Sequence, residues 1–233
     1  MPDPSGDNDR VGARQRFRGR IAGVGSASGV RVVVGWWHES PFGPFADAMV
    51  ETAAGHRVLV APSEQVRDLV AGTYEFDETR IEDISASHLS RPVPEPVAGP
   101  HNGSGGKVNV PLPSWSVESP SLRMTVSFGS RMPVGRLLRL VPGALAASPT
   151  FATVVDPVAR VVLPGVRTRG VARAGRREFY GATDLHAVKT MTGSFDGIQL
   201  GGLRPVDPPC RFGFSSTPRR PSVADVVTTI VDT

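Results

Sequence analysis

The sequence VRVVVGWW at residues 30–37 decides the fold class, because it is dense in β-branched and aromatic residues and therefore predicts a strand. The stretch before it, RIAGVGSASG at residues 20–29, carries glycines that resemble part of a dinucleotide-binding loop. Such a loop needs a helix directly after its glycines to hold the pyrophosphate. A strand follows instead, and Ser28 stands where the third glycine belongs. We interpret the stretch as a β-hairpin turn.

Further strands follow on both sides of a short helix. FADAMVET at residues 45–52 and HRVLVAP at 56–62 predict a second antiparallel hairpin. SEQVRDLVAG at 63–72 predicts the helix, which Gly72 can end. The 26 glycines and 22 prolines of the chain favour strands and turns over long helices. We therefore predict a mainly β (α+β) protein: a single antiparallel β-sheet domain, barrel-like, with a short helical insertion.

Composition also predicts the domain boundaries. Residues 1–15 offer almost nothing apolar and are expected to be a disordered N-terminal arm. Residues 16–233 are expected to form one β-rich domain. Within it, residues 85–107 are rich in Pro, Ser and Gly and predict a long exposed loop. Residues 134–164 predict the helical insertion, which prolines cut into short pieces.

Charge and cysteine content indicate the compartment and the partners. The first ten residues lack the basic start and apolar run of a secretory signal, and no apolar stretch reaches the roughly 18 residues of a membrane span. The single cysteine, Cys210, fits a reducing compartment and is expected to be buried rather than reactive. These features predict a cytoplasmic protein without a transmembrane segment. The oligomeric state stays open.

Arginine supplies nearly all of the positive charge, with Lys107 and Lys189 the only lysines. This bias, together with the segments SPFGPFADAMVE at residues 40–51 and RFGFSSTPR at 211–219, resembles a family of uncharacterised proteins from high-GC actinobacteria. The resemblance implies no activity, ligand or cofactor.

A ligand site is expected inside the curved sheet. A strand at residues 30–38 would place Trp36 and His38 on one face, and Asp47 would lie on a face of the next strand. A strongly curved sheet with such residues inside would form a cavity. The tryptophans would equally fit a filled core, and Asp47 would equally accept backbone hydrogen bonds from the SPFGPF turn. The residues assigned to ligand binding are Trp36, His38, Asp47, Tyr180 and His186.

The segment REFYGATDLH at residues 177–186 holds the candidate catalytic residues. Glu178 and Tyr180 would share one strand face, and Asp184 and His186 would share a face beyond a turn at Gly181. An aspartate can orient an imidazole, and tyrosine or glutamate can then act as acid or base. A solvated strand face shows the same alternation. The sequence therefore predicts non-catalytic binding of a small apolar ligand, as in calycin-like barrels, and keeps a metal-independent acid–base enzyme as the alternative.

Other chemistries find little support. The five histidines have no metal-ligand spacing, and Gly106-Lys107 is followed by valine where a phosphate loop needs Ser or Thr, so no metal and no cofactor are predicted. The arginine cluster from Arg167 to Arg177 is interpreted as an exposed hairpin, and no nucleic-acid partner is predicted.

Overall fold

The computed structural model describes residues 14–89, 112–141, 169–171, 177–213 and 215–231, with only the backbone described at 169–171. These residues form thirteen strands and two short helices. The strands are β1 Arg14–Ser26, β2 Arg31–Glu39, β3 Phe45–Glu51, β4 Arg57–Ala61, β5 Glu78–Ile81, β6 Ser85–His88, β7 Ser114–Glu118, β8 Leu122–Arg131, β9 Arg169–Val171, β10 Arg177–Phe195, β11 Ile198–Gln199, β12 Leu203–Arg204 and β13 Ser222–Val231. The helices are α1 Glu64–Ala71 and α2 Pro133–Leu138.

All thirteen strands belong to one sheet. Its main order is β5-β4-β3-β2-β1-β13-β10-β8-β7-β6, with β9 and β11 paired to β10 and β12 paired to β1. Every strand pair is antiparallel except β4 with β5, which are parallel and are connected through α1. The sheet curls into an open half-barrel. The predicted mainly β, single-sheet, barrel-like architecture is thereby confirmed.

Local chemistry explains the two elements that the sequence predicted best. The β1–β2 turn contains Gly29 with φ +83°, a left-handed conformation that glycine adopts without a side-chain clash, so the hairpin turn is confirmed. Helix α1 starts after Ser63, whose hydroxyl accepts a hydrogen bond from the Val66 amide at 3.3 Å. Gly72 follows the last turn of the helix and bonds back to it.

Several predicted boundaries differ from the structure. Residues 85–88 form strand β6, so the predicted loop at 85–107 begins too early, and its remainder from residue 90 lies outside the described residues. Strand β1 already includes residues 14 and 15 of the predicted arm, and residues 1–13 are not described. Of the predicted insertion at 134–164, α2 accounts for the start, and residues from 142 onward lie outside the described part.

The two faces of the sheet differ in what covers them. The core face, defined by Ala22, Val32, Val34, Ala48 and Val50, packs on residues of β7, β8 and β10 in one large buried cluster. Strands β2 and β3 thus meet the far end of their own sheet, because the sheet curls around this side. The core face is filled by side chains.

The groove face is the opposite side of the same strands and is defined by Ile21, Val33, Asp47, Met49 and Tyr180. Helix α1 covers one end of it, and residues 205–221 between β12 and β13 cover another part. These two coverings leave a groove between them.

Residues 205–221 are fixed to the sheet through a fully buried carboxylate. Glu51 accepts bonds from the Arg211 amide and the Arg211 side chain, each at 2.9 Å, and forms an ion pair with Arg31 at 2.9 Å. Two guanidinium groups thus compensate one buried charge. Among the described residues, no helix has the length and apolar character needed to cross a membrane.

Candidate functional site

The candidate site is the groove, which consists of two adjoining cavities. The acidic cavity, measured with the solvent space at its open mouth, has about 540 Å³ and is lined by Asp47 and Glu178. The apolar cavity, measured to its open mouth, has about 910 Å³ and runs toward Leu138 and Phe212. The two share the following lining residues: Ile21, Val33, Met49, Tyr74 and Tyr180. An elongated molecule could therefore occupy both.

Asp47 lies on β3 directly opposite Gly35 of β2. A Cβ atom at Gly35 would lie 2.4 Å from Asp47 Oδ1 and 2.5 Å from Trp37 Nε1, so the missing side chain makes room for both groups. Trp37 Nε1 donates to Asp47 Oδ1 at 2.8 Å. Burial raises the pKa of Asp47 to about 7 against the opposing effect of this bond. The indole, and not the backbone of the SPFGPF turn, is thus the donor found for Asp47.

Glu178 lies on β10 at the other side of the acidic cavity and is 4% exposed. Burial raises its pKa to about 8, so the carboxyl group is largely protonated at neutral pH. The Tyr74 hydroxyl donates to Glu178 Oε2 at 3.2 Å. Burial, followed by the charge of Asp47, also raises the pKa of Tyr180, which therefore stays neutral.

Aromatic rings surround these carboxyls. Phe17 packs edge-on against Trp37 with ring centroids 5.9 Å apart and against Phe45 at 6.5 Å. Tyr74 and Tyr180 complete the aromatic part of the lining. The described lining of the acidic cavity contains no Lys, Arg or His side chain.

Two threonine hydroxyls in the groove have no hydrogen-bond partner among the described residues. Thr228 Oγ1 lies in the acidic cavity on β13, opposite Tyr180, and the residue is only 2% exposed. Thr217 Oγ1 lies in the apolar cavity, where the Thr217 side chain packs on Gly23. Buried hydroxyls without a partner are unfavourable and are found at sites that a ligand or water completes.

Asp184 and His186 lie on the opposite side of the sheet from Glu178 and Tyr180. Strand β10 does not turn at Gly181, as the sequence suggested, but continues to Phe195. Its pairing with β13 shifts between Ala182 and Asp184, which marks a β-bulge. The bulge exchanges the two faces of the strand. The four candidate catalytic residues therefore do not converge in one cleft.

The side chain of Asp184 is engaged in an ion pair. Arg131 Nε donates to Asp184 Oδ1 at 2.7 Å and to Oδ2 at 2.8 Å. Burial acts to raise the pKa of Asp184, but the bonds from Arg131 and from the Leu185 amide outweigh it and lower the pKa. His186 Nε2 lies 3.4 Å from Asp184 Oδ2, and its Nδ1 lies 3.2 Å from the Gly129 carbonyl oxygen. Asp184 and His186 are therefore close together, but they belong to an ion-pair cluster with Arg131.

Trp36 and His38 also lie on the core face. The Trp36 ring packs edge-on against Trp115 at 5.3 Å and lies 4.7 Å from the His88 ring, while His38 is exposed. The side of the sheet on which the sequence placed a ligand is filled in this region. Of the five residues assigned to ligand binding, Asp47 and Tyr180 line the groove, whereas Trp36, His38 and His186 do not.

Several groove residues were not predicted from the sequence, whereas the burial of Cys210 was. Tyr74 follows α1 and reaches Glu178 across 104 positions, a contact that no local sequence pattern indicates. Thr228 belongs to the strand segment VVTTIV, whose two adjacent threonines do not alternate with apolar residues and so give no signal for the groove face. Cys210 is buried, and burial raises its pKa to about 12, so its thiol is not a nucleophile at neutral pH.

Comparison of the chain with protein-family models, curated proteins and solved structures gives no match. The function is therefore argued from the groove itself. In the described part of the chain, no group of three His, Cys, Asp or Glu side chains is placed to hold a metal ion.

Proposed function

We propose that the protein binds a small, largely apolar molecule in the groove. The observation that carries this proposal is the apolar cavity of about 910 Å³, which adjoins the acidic cavity and is lined mainly by aliphatic and aromatic side chains. Such a concave apolar site with a few polar groups at one end is typical of small-molecule binding sites.

The groove provides affinity and orientation through different residues. Aliphatic and aromatic lining residues such as Ile21, Val226 and Phe212 remove the ligand body from water. A body that loses about 250 Å² of apolar surface gains about 6 kcal/mol, from which the cost of association is subtracted. Asp47 and Glu178 offer polar contacts at one end only, and would fix which way the ligand lies.

A fluorescence titration with N-phenyl-1-naphthylamine, a neutral apolar dye, tests this proposal. We expect saturable, 1:1 fluorescence enhancement in the micromolar range. Ala224→Phe places a ring in the apolar cavity, because Ala224 lines it, and should weaken dye binding at least tenfold.

The matched control is Ala54→Phe, the same substitution in the exposed turn between β3 and β4. This variant should bind the dye as the wild type does. Absence of enhancement in the wild type, or equal loss in both variants, would overturn the proposal. Native mass spectrometry of protein purified from its host would then identify the natural ligand as a non-covalent adduct.

Acid–base catalysis in the groove is the second candidate function, and one observation favours it. Asp47 and Glu178 have pKa values of about 7 and 8, close to neutrality, where a general acid or base is most effective. In this version Asp47, Glu178 and Tyr180 act, without Asp184 and His186. The ligand recovered after prolonged incubation should then differ from the ligand supplied in its NMR spectrum or its mass, because proton transfer alone isomerises a molecule without changing its mass. Glu178→Gln should abolish the change. Recovery of a ligand that is unchanged by both measurements would exclude catalysis.

A further inference from the structure

We infer that the ligand of the groove is an organic cation, an amine whose ammonium group lies between Asp47 and Glu178 while its apolar body fills the apolar cavity. This inference rests on the proposed binding function and names the chemical class of the ligand.

The first argument is the missing positive charge. Two carboxyl groups line one cavity, and the hydrogen-bond donors found for them are the neutral Trp37 indole and the neutral Tyr74 hydroxyl. Elsewhere in this protein buried carboxylates are paired with arginine: Glu51 with Arg31 and Arg211, and Asp184 with Arg131. Among the described residues, these two buried carboxyls have no cation beside them and are therefore an exception to the pattern of Glu51 and Asp184.

The second argument is the ring arrangement. The following five aromatic residues line the cavity that contains both carboxyls: Phe17, Trp37, Phe45, Tyr74 and Tyr180. Aromatic faces attract cations through their quadrupole, and aromatic cages recognise ammonium groups in this way. A neutral head group could bond to the carboxyls but would not use the rings. An anion would be repelled by the ring faces and by a carboxyl that is ionised.

The third argument is the unpaired hydroxyl. Thr228 Oγ1 is buried in the same cavity and has no hydrogen-bond partner among the described residues. A hydroxyl oxygen accepts a hydrogen bond from an ammonium N–H group. The cavity therefore offers acceptors from three strands, β3, β10 and β13, to one donor-rich head group.

Binding of the cation should release protons. An amine enters the cavity already protonated at pH 7.5, and its charge favours the ionised form of the neighbouring carboxyls. The proton leaves Asp47 or Glu178 for the solvent, so atoms and charge balance. A neutral ligand of the same shape would release none.

The test compares three probes that share a phenylbutyl body and differ in the head group: 4-phenylbutylamine, 4-phenylbutanol and 5-phenylpentanoate. Isothermal titration at pH 7.5, in two buffers of different ionisation enthalpy, measures affinity and proton release. We expect the amine to bind at least tenfold tighter than the alcohol, the carboxylate to bind most weakly, and only the amine to release protons.

Two variants assign the effect to the carboxyls. Asp47→Asn and Glu178→Gln should each weaken binding of the amine about tenfold and binding of the alcohol less than twofold. Glu118→Gln, at an exposed position of β7, should change neither. The alcohol titration shows that each variant still folds and binds.

The outcomes separate this inference from the proposed function. Equal affinity for amine and alcohol would overturn the cation and leave apolar binding intact. Absence of binding by all three probes, together with absence of dye binding, would overturn both. If both variants still bind the amine more tightly than the alcohol, the ammonium group lies elsewhere, and its assignment to Asp47 and Glu178 would be overturned.

Discussion

The two halves of strand β10 each bury a carboxyl group, and the two groups differ in charge state. Before the bulge, Glu178 faces the groove with no cation among the described lining residues, and burial raises its pKa to about 8. After the bulge, Asp184 faces the other side and is bonded by Arg131, and its pKa is lowered. Six residues of one strand thus separate a neutral carboxyl from an ionised one. Deep burial without a cation keeps Glu178 neutral, whereas shallower burial with bonds from Arg131 keeps Asp184 ionised.

Deleting Thr183 acts on both halves of the strand at once and should have the largest effect. Thr183 is the extra residue of the bulge, between Ala182 and Asp184. Without it, Ala182 and Asp184 become neighbours that pair with Val226 and Asp225 in regular register, so both halves keep their faces but the bend of the bulge is lost. We expect unfolding, measured by circular dichroism, to stay cooperative with a stability lowered by about 3 kcal/mol, because the strand pairs next to the bulge must rearrange.

The control for the deletion is Thr183→Ala, which keeps the bulge and removes only the hydroxyl that donates to the Asp225 carbonyl at 3.3 Å. It should cost less than about 1 kcal/mol. A deletion variant with near-wild-type stability would show that the bulge contributes nothing to the packing of the two halves.

The pH dependence of stability should have the next largest effect, with opposite signs for the two carboxyls. Because the folded-state pKa of Glu178 is raised, its contribution is fully present below about pH 4 and is lost as pH rises through about 8. The lowered pKa of Asp184 gives a contribution that is present above about pH 4 and lost on further acidification.

Urea unfolding of Glu178→Gln across the pH range measures the first contribution. The variant should match the wild type near pH 5 and exceed it near pH 9, by on the order of 3 kcal/mol if the charged form stays buried. Asp184→Asn should instead be less stable than the wild type at pH 7. A wild-type stability that does not fall between pH 5 and 9 would contradict the neutral state of Glu178.

Removing Arg131, the cation beside Asp184, should have the smallest effect of the three changes. It tests directly whether this partner stabilises the second half of β10. Arg131→Met leaves Asp184 without the guanidinium Nε that donates to both of its carboxylate oxygens, and we expect a lower free energy of unfolding at pH 7. Arg123→Met, at an exposed position of the same strand β8, should change stability by less than about 0.5 kcal/mol. Equal losses in urea unfolding would show that the ion pair has no special role.

The fold could largely be predicted from the sequence because its signals are local. The valines of residues 30–34 predicted β2, Gly29 predicted the turn before it, and Ser63 began the predicted helix. Each depends on the conformational preference of a few neighbouring residues. The curling of the sheet adds no new strands or helices. The mainly β fold class could therefore be predicted without knowing which strands pair.

The site could be predicted only in part, because it depends on register. Asp47 and Tyr180 lie in the groove, but Trp36 and His38 do not, since β2 pairs Gly35 with Asp47 and thereby turns Trp36 to the other face. The residue type at position 183 does not predict the bulge, which places Asp184 on the face opposite to the groove. In a regular strand of the same residues, without the bulge, all the even positions from 178 to 186 would share one face, as an alternating pattern suggests.

The open half-barrel leaves the sheet with two terminal strands among those described, β5 and β6, and each is only four residues long. Strand β5 carries Glu78 and Arg80, and Arg80 forms ion pairs with both Glu78 and Asp196. Short edges that carry fixed charges are poor templates for another strand. The protein can thus keep its sheet unclosed without offering a flat, apolar edge for aggregation.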